Sequence, residues 1–132
     1  MIDIENELIT RISQRLRSEF NPIYVTGENI RKTAKFPHVT IVEYDNATYR
    51  KANNSCGDEY ARLIYEFNIY SNLTIGKKQQ CKDILKIIDG EMMNMGFSRI
   101  FRRHISNIED ATIHRVLVRY YGIVDDRKYI YR

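Results

Sequence analysis

"YEFNIYSNLTIGKKQQCKDILKIIDGEMMNMGF", residues 65–97, contains the change of hydrophobic period that sets the fold. Read together with the residues just before it, the first part has a period of two. Leu63, Tyr65, Phe67 and Ile69 alternate with Arg62, Glu66, Asn68 and Tyr70, and only Ile64 interrupts the pattern. Such alternation is a strand over 62–72 with one buried face. Further on the period becomes helical, because Cys81, Ile84, Leu85, Ile88, Met92 and Met95 form one stripe. Thr74 is the expected cap, and Gly96 can supply the left-handed residue that ends the helix.

The junction holds Gly76 and Lys77, a glycine and a lysine between a strand and a helix. A phosphate loop needs more. Several glycines must let successive N–H groups face the anion, and a hydroxyl residue must follow the lysine to hold magnesium. Here Ser71 stands five residues before Gly76, and Lys78 follows Lys77. The junction reads as a tight strand-to-helix turn.

Outward on the N-terminal side, residues 36–45 ("FPHVTIVEYD") form a β-branched strand after a proline. Val39, Ile41 and Glu43 share one side, and Thr40, Val42 and Tyr44 the other. Residues 46–60 lack an apolar period and read as a long polar loop, a type that is usually functional or poorly ordered. Before these, residues 23–30 are a short extended segment turning at Gly27. The chain opens on an amphipathic helix with Ile4, Leu8, Ile12 and Leu16 in line, Ile9 beside them, Asp3 as its cap and Pro22 as its stop. On the C-terminal side, residues 97–105 and 111–124 read as two strands. Val116, Val118 and Tyr120 lie on one face of the second, and Arg115, Leu117 and Arg119 on the other. Residues 128–132 add a short edge strand or a tail.

The order is therefore α-β-β-β-α-β-β. It implies a single α+β domain over residues 1–132, with two helices packed on an antiparallel sheet of about five strands. With 43% hydrophobic and 29% charged residues the composition is that of an ordinary soluble domain, and no apolar run approaches the roughly 20 residues of a membrane helix. The acidic N-terminus does not read as a secretory signal, so the chain is expected to fold in a cytoplasm, with Cys56 and Cys81 reduced and unpaired. The net charge of +4 is mild and its cations are scattered. Ten tyrosines and five phenylalanines suit broad sheets and protein interfaces, where a tyrosine buries its ring and keeps its hydroxyl bonded.

Candidate chemistry is sparse. Lys78, Lys82 and Lys86 stand four apart on one helical face, where they could follow a phosphate backbone or simply form the solvent side of the helix. "RIFRRH" (99–104) interleaves cations with an aromatic. Strict alternation puts Arg99, Phe101 and Arg103 on one face and Ile100, Arg102 and His104 on the other, which makes no clean platform. His38, His104 and His114 lack metal-ligand spacing, although His104 and His114 could meet across a hairpin. Asp89 and Glu91 point in different directions, and Glu109 with Asp110 shapes a turn. No residue pattern marks a nucleophile, so neither catalysis, a metal nor a cofactor is expected.

Three stretches, "FPHVTIVEYDN", "YEFNIYSNLTIGKKQQCKDILKIIDGEMMNMGFSRI" and "NIEDATIHRVLVRYYGIVD", carry a resemblance over residues 36–124. They resemble the tail-completion proteins of long-tailed phages and prophages of Gram-positive bacteria, the tail terminators also called head–tail joining or minor capsid proteins. The likeness rests on the junction "EFNIYSN…GKK", the helix ending "MGF" and the lead "NIEDATIHR" into the last long strand. Residues 1–35 and the "KYIYR" tail contribute little.

The resemblance implies an α+β virion subunit, made in the host cytoplasm, that assembles as a ring, usually a hexamer, at the head-proximal end of the tail. The ring ends polymerisation of the tube and forms part of the head–tail joint. Its partners would be its own copies, the tail tube protein and a neck or head-completion protein, with DNA passing transiently through the lumen and no membrane involved. A head-to-tail ring buries different patches on the two sides of each subunit. Tyr70, Leu117 and Tyr121 are candidates for such patches, with Ile64 and Leu117 as exposed apolar positions on polar strand faces. Within the loop 46–60, Tyr49, Arg50, Lys51, Asp58 and Glu59 would contact a neighbouring subunit or the lumen. The alternative is a nucleic-acid-binding module using Lys78, Lys82 and Lys86 with the Arg-rich strand 97–105.

Overall fold

The alternating stretch around residue 65 becomes a central strand of the sheet. In the computed structural model, which describes residues 1–28, 35–49, 60–106 and 111–131, the elements in chain order are α1 (Glu5–Glu19), β1 (Tyr24–Thr26), β2 (His38–Tyr49), β3 (Tyr60–Ser71), α2 (Lys77–Met95), β4 (Ser98–Ser106), β5 (His114–Asp125) and β6 (Ile130–Tyr131). The protein is α+β, with the strands ordered β1-β2-β3-β5-β4. β6 pairs with Ile123 and Val124 of β5, past the point where β4 begins opposite Tyr121. All long strands pair antiparallel. The exception to the expected antiparallel sheet is β1, whose Tyr24, Val25 and Thr26 run parallel to His38, Val39 and Thr40.

One face of the sheet carries the core. Leu63, Tyr65, Phe67 and Ile69 of β3 meet Val116, Val118 and Tyr120 of β5 and Val39 and Ile41 of β2, all fully buried. Over them lies the stripe of α2, with Cys81, Ile84, Leu85, Ile88 and Met92 buried, and α1 contributes Leu8, Ile12 and Leu16 to the same cluster. Aromatic edges lock the layer. Phe67 meets Tyr120 at 5.5 Å between ring centroids and Tyr65 meets Phe97 at 5.9 Å, both nearly perpendicular. Buried tyrosines keep their hydroxyls bonded, Tyr120 donating to Asp89 Oδ1 at 3.0 Å and Tyr65 to Glu43 Oε1 at 3.4 Å.

The ends of α2 differ from the reading of the sequence at one side only. Gly96 closes the helix at φ 104°, and the N–H groups of Gly96 and Phe97 return to the carbonyls of Met93 and Met92. At the start, Thr74 does not cap. The cap position is Gly76 at φ 87°, with no side-chain hydrogen bond, so this glycine serves a left-handed turn that other residues enter at a cost. In α1, Asp3 Oδ1 accepts the Glu5 N–H at 3.0 Å, and the helix stops before Pro22.

Two bulges alter the side-chain faces. The pairing of β2 with β3 shifts between Glu43 and Asp45, and that of β4 with β5 shifts between Arg99 and Phe101. Each adds one residue, Tyr44 and Ile100, and reverses the alternation downstream. The residues expected to begin a polar loop are consequently strand: Asn46, Ala47, Thr48 and Tyr49 pair with Leu63, Arg62, Ala61 and Tyr60. Asn46 supports this extension by donating from Nδ2 to the Ile2 carbonyl at 2.9 Å. Residues 50–59, including Arg50, Lys51, Cys56, Asp58 and Glu59, lie outside the described residues, as does the turn 107–110 with Glu109 and Asp110.

Candidate interaction surfaces

Among the described residues no helix lies on the second face of the sheet, yet that face is not a plain solvated surface. β3 sends Ile64, Glu66, Asn68 and Tyr70 to it, β5 sends Arg115, Leu117, Arg119 and Tyr121, and the bulge in β4 brings Phe101 and Arg103 there. Arginines and aromatic rings stack across the strands. The Arg119 guanidinium carbon lies 3.7 Å from the Tyr44 ring centroid and 5.2 Å from that of Phe101, while Arg103 stands 5.1 Å from Phe101. Arg119 also pairs with Glu66 at 3.5 Å. Further along, Arg115 Nε donates to Asn68 Oδ1 at 2.9 Å and its guanidinium lies over Tyr70, which in turn meets the edge of His38.

This layer buries polar groups on a face that carries no helix among the described residues. Asn68, Thr40 and His38 are all nearly inaccessible, and burial lowers the His38 pKa. Two buried polar atoms, Thr40 Oγ1 and Arg119 Nε, have no hydrogen-bond partner among the described residues. Tyr70, Leu117 and Tyr121 all come to this one face. Leu117, however, is buried, with Asn68 and Arg103 opposite it, and Ile64 is half-buried. Neither is the freely exposed apolar position that a polar strand face suggested. Tyr49 has its backbone paired to Tyr60 at the end of the β2–β3 hairpin.

A second surface lies between α2 and β4. The bulge at Ile100 puts Arg99 opposite Tyr120 and Arg102 opposite Val118, on the helix side of the sheet. Arg99 and Arg102 therefore do not separate onto two faces as strict alternation required. They line, with Gln79, Lys82, Leu85, Lys86 and Asp89, an open cleft of about 350 Å³. Outside this lining, but within electrostatic reach of Lys82, His104 Nδ1 and His114 Nε2 stand 2.9 Å apart. Burial lowers both histidine pKa values, and neighbouring cations, Lys78 and Lys82 among them, lower them further. Among the described residues no group of three or more His, Cys, Asp or Glu side chains could hold a metal ion. Asp89 and Glu91 diverge as their spacing requires, Asp89 to Arg99 and Tyr120 and Glu91 to Arg11 and Arg15 of α1. Cys81 is unpaired and buried, its thiol pushed up to about 12 by burial.

The sequence concealed Tyr44, Phe101, Arg115 and Arg119 as one surface. Their only signal was arginine beside an aromatic residue in two separate strands, Phe101–Arg102 in β4 and Arg119–Tyr120 in β5. Glu43 lies on the side of Val39 and Ile41, as the alternation predicts, half-buried and accepting from Asn46 at 3.1 Å. Burial raises its pKa, and Asp3 and Glu5 add to the effect against the hydrogen bonds from Asn46 and Tyr65. The folded state thus disfavours the carboxylate, and that penalty applies above the folded pKa and disappears as pH falls below the unfolded one. Glu43→Gln retains the acceptor oxygen without the charge. It is expected to raise the thermal midpoint near pH 7, with the gain gone by about pH 4; a lower midpoint at neutral pH would mean that the carboxylate stabilises the fold. No protein-family model matches the chain, and no curated protein matches it.

Proposed function

We propose that this chain is a structural subunit that self-assembles as a ring, by preference a hexamer, and completes a phage tail by capping the tube and meeting the neck. The observation that carries the reading is the sheet face on which no helix lies among the described residues, with its preformed layer of tyrosine, phenylalanine and arginine. These residue types are enriched in protein interfaces, and here their side chains are already held by stacking and ion pairs, which lowers the entropic cost of docking. The α+β architecture with its long β2–β3 hairpin is compatible with the tail-completion subunits that residues 36–124 resemble. On this reading the work is contact rather than catalysis, the partners are further copies, the tube protein and a neck or head-completion protein, and DNA crosses the lumen in passing. The protein would then reside in the virion at the head-proximal end of the tail.

Electron microscopy of particles lacking this gene tests the proposal. Filled heads beside unattached tails of irregular length are the expected result. Tails of normal length that fail to join would reassign the subunit to the neck, and intact particles would overturn the structural role. Nucleic-acid binding is the second reading, and the placement of Arg99 and Arg102 opposite the lysines of α2 favours it.

A further inference from the structure

We propose that the cleft between α2 and β4 binds the phosphodiester backbone of a nucleic acid strand. This inference does not depend on ring assembly.

The cleft is built by a helix and the strand that returns beside it, so cations from the two elements run along a common trough. At one end Arg99 pairs with Asp89 at 3.3 Å. Lys82, Lys86 and Arg102 line the rest of it, and beyond the lining Lys78 stands one helical turn before Lys82, near enough to His104 and His114 for both lysines to act on the rings. From Lys78 to Lys86 the helix rises about 12 Å, and a single strand presents one phosphate per roughly 3.4 Å of helix axis. The row therefore spans about three or four phosphates.

Charge balance points the same way. Four cations and one carboxylate line the cleft, leaving three positive charges uncompensated. The carboxylate, Asp89, is already engaged by Arg99 and by the Tyr120 hydroxyl. Among the described residues no ion pair reaches Lys78, Lys82, Lys86 or Arg102. A linear array of lysine point charges beside arginine forks suits a chain of regularly spaced phosphates, which accept paired N–H donors from a guanidinium.

The histidine pair supplies a pH signature. Burial and the cations around the pair, Lys77, Lys78 and Lys82 from α2 and Arg102 from β4, lower the pKa of the rings. A phosphate seated among these cations offsets their repulsion and favours the protonated rings. Protons are then taken up on binding, so affinity rises as pH falls.

Fluorescence anisotropy with labelled single-stranded and double-stranded DNA oligonucleotides of mixed sequence, in low salt, is the test. Binding is expected, with log affinity falling linearly with log salt and a slope near 3 for about four contacts. Lys82→Gln with Arg102→Gln should weaken binding at least tenfold and lower the slope by about 1.5. His104→Gln with His114→Gln should flatten the rise in affinity between about pH 8 and pH 5.5. Arg62→Gln, outside the cleft, should change nothing, and circular dichroism confirms that each variant remains folded. Three results overturn the proposal: no binding by the wild-type protein in low salt, unchanged binding by the Lys82/Arg102 variant, or equal binding of poly-glutamate. The last would reassign the cleft to an acidic protein partner. The ring reading stands or falls separately, on particle morphology.

Discussion

Phe67→Ala is expected to remove about 3–5 kcal/mol of stability, the range for deleting a large ring from a packed core. Phe67 is fully buried on β3, between Ile41 of β2 and Val118 of β5, and its ring meets the edge of Tyr120. The site cannot collapse easily. The backbone beside it is fixed by ladders to strands on both sides, and Tyr120 is itself held by its hydrogen bond to Asp89 on α2. In a chain of this length the loss corresponds to a fall of roughly 10–20 °C in the thermal midpoint. Urea denaturation monitored by circular dichroism would measure it. Phe67→Leu should recover roughly half of the loss by refilling the space. Ile64→Ala, on the other face of the same strand, should cost only about 1 kcal/mol, because that side chain is half-buried. A cost below about 1 kcal/mol for Phe67→Ala would mean that the two faces of β3 have been assigned the wrong way round.

β3 and α2 were legible because one side of each meets a continuous core, so the period of the apolar residues survives in the sequence. Gly96 was legible for a related reason, since a left-handed helix end favours glycine. The bulges were not. A single extra residue, Tyr44 or Ile100, leaves composition and local pattern unchanged while reversing every side chain beyond it. That reversal brought Arg102 to the α2 side, where Arg99 stands, and gave Phe101 and Arg103 to the open face. The polarity of Asn46 and Thr48 concealed the extension of β2 for another reason. Pairing with β3 satisfies their backbones whatever their side chains prefer, and tertiary contact overrides propensity. The parallel pairing of β1 depends on a crossover, which a stretch as short as Tyr24–Thr26 does not encode. The candidate surfaces were legible only as ingredients. The residue types could be read, but their convergence depended on register.

Arg119→Lys is the corresponding test of the open face. On the proposed assembly reading it should weaken self-association by about 30-fold or more, the scale of a single interface hot spot. The charge is conserved, so the test isolates geometry. The Arg119 guanidinium carbon lies over the Tyr44 ring at 3.7 Å from its centroid and 5.2 Å from that of Phe101, while the group pairs with Glu66. An ammonium cannot make that planar stack or keep an N–H free at the Nε position, which here is buried and without a partner among the described residues. Tyr44, just over half exposed, would lose its support and become free to reorient. The fold itself should survive, because the core lies on the opposite face and lysine keeps a long apolar stem at this position. Sedimentation velocity over a range of concentrations would give the association constant, with thermal unfolding of the dilute protein as the control. Weakened association with an unchanged midpoint supports a contact made through this face. A lowered midpoint with unchanged association would mean that the arginine–aromatic layer only covers its own sheet, and subunit contact would then have to be sought at the sheet edges.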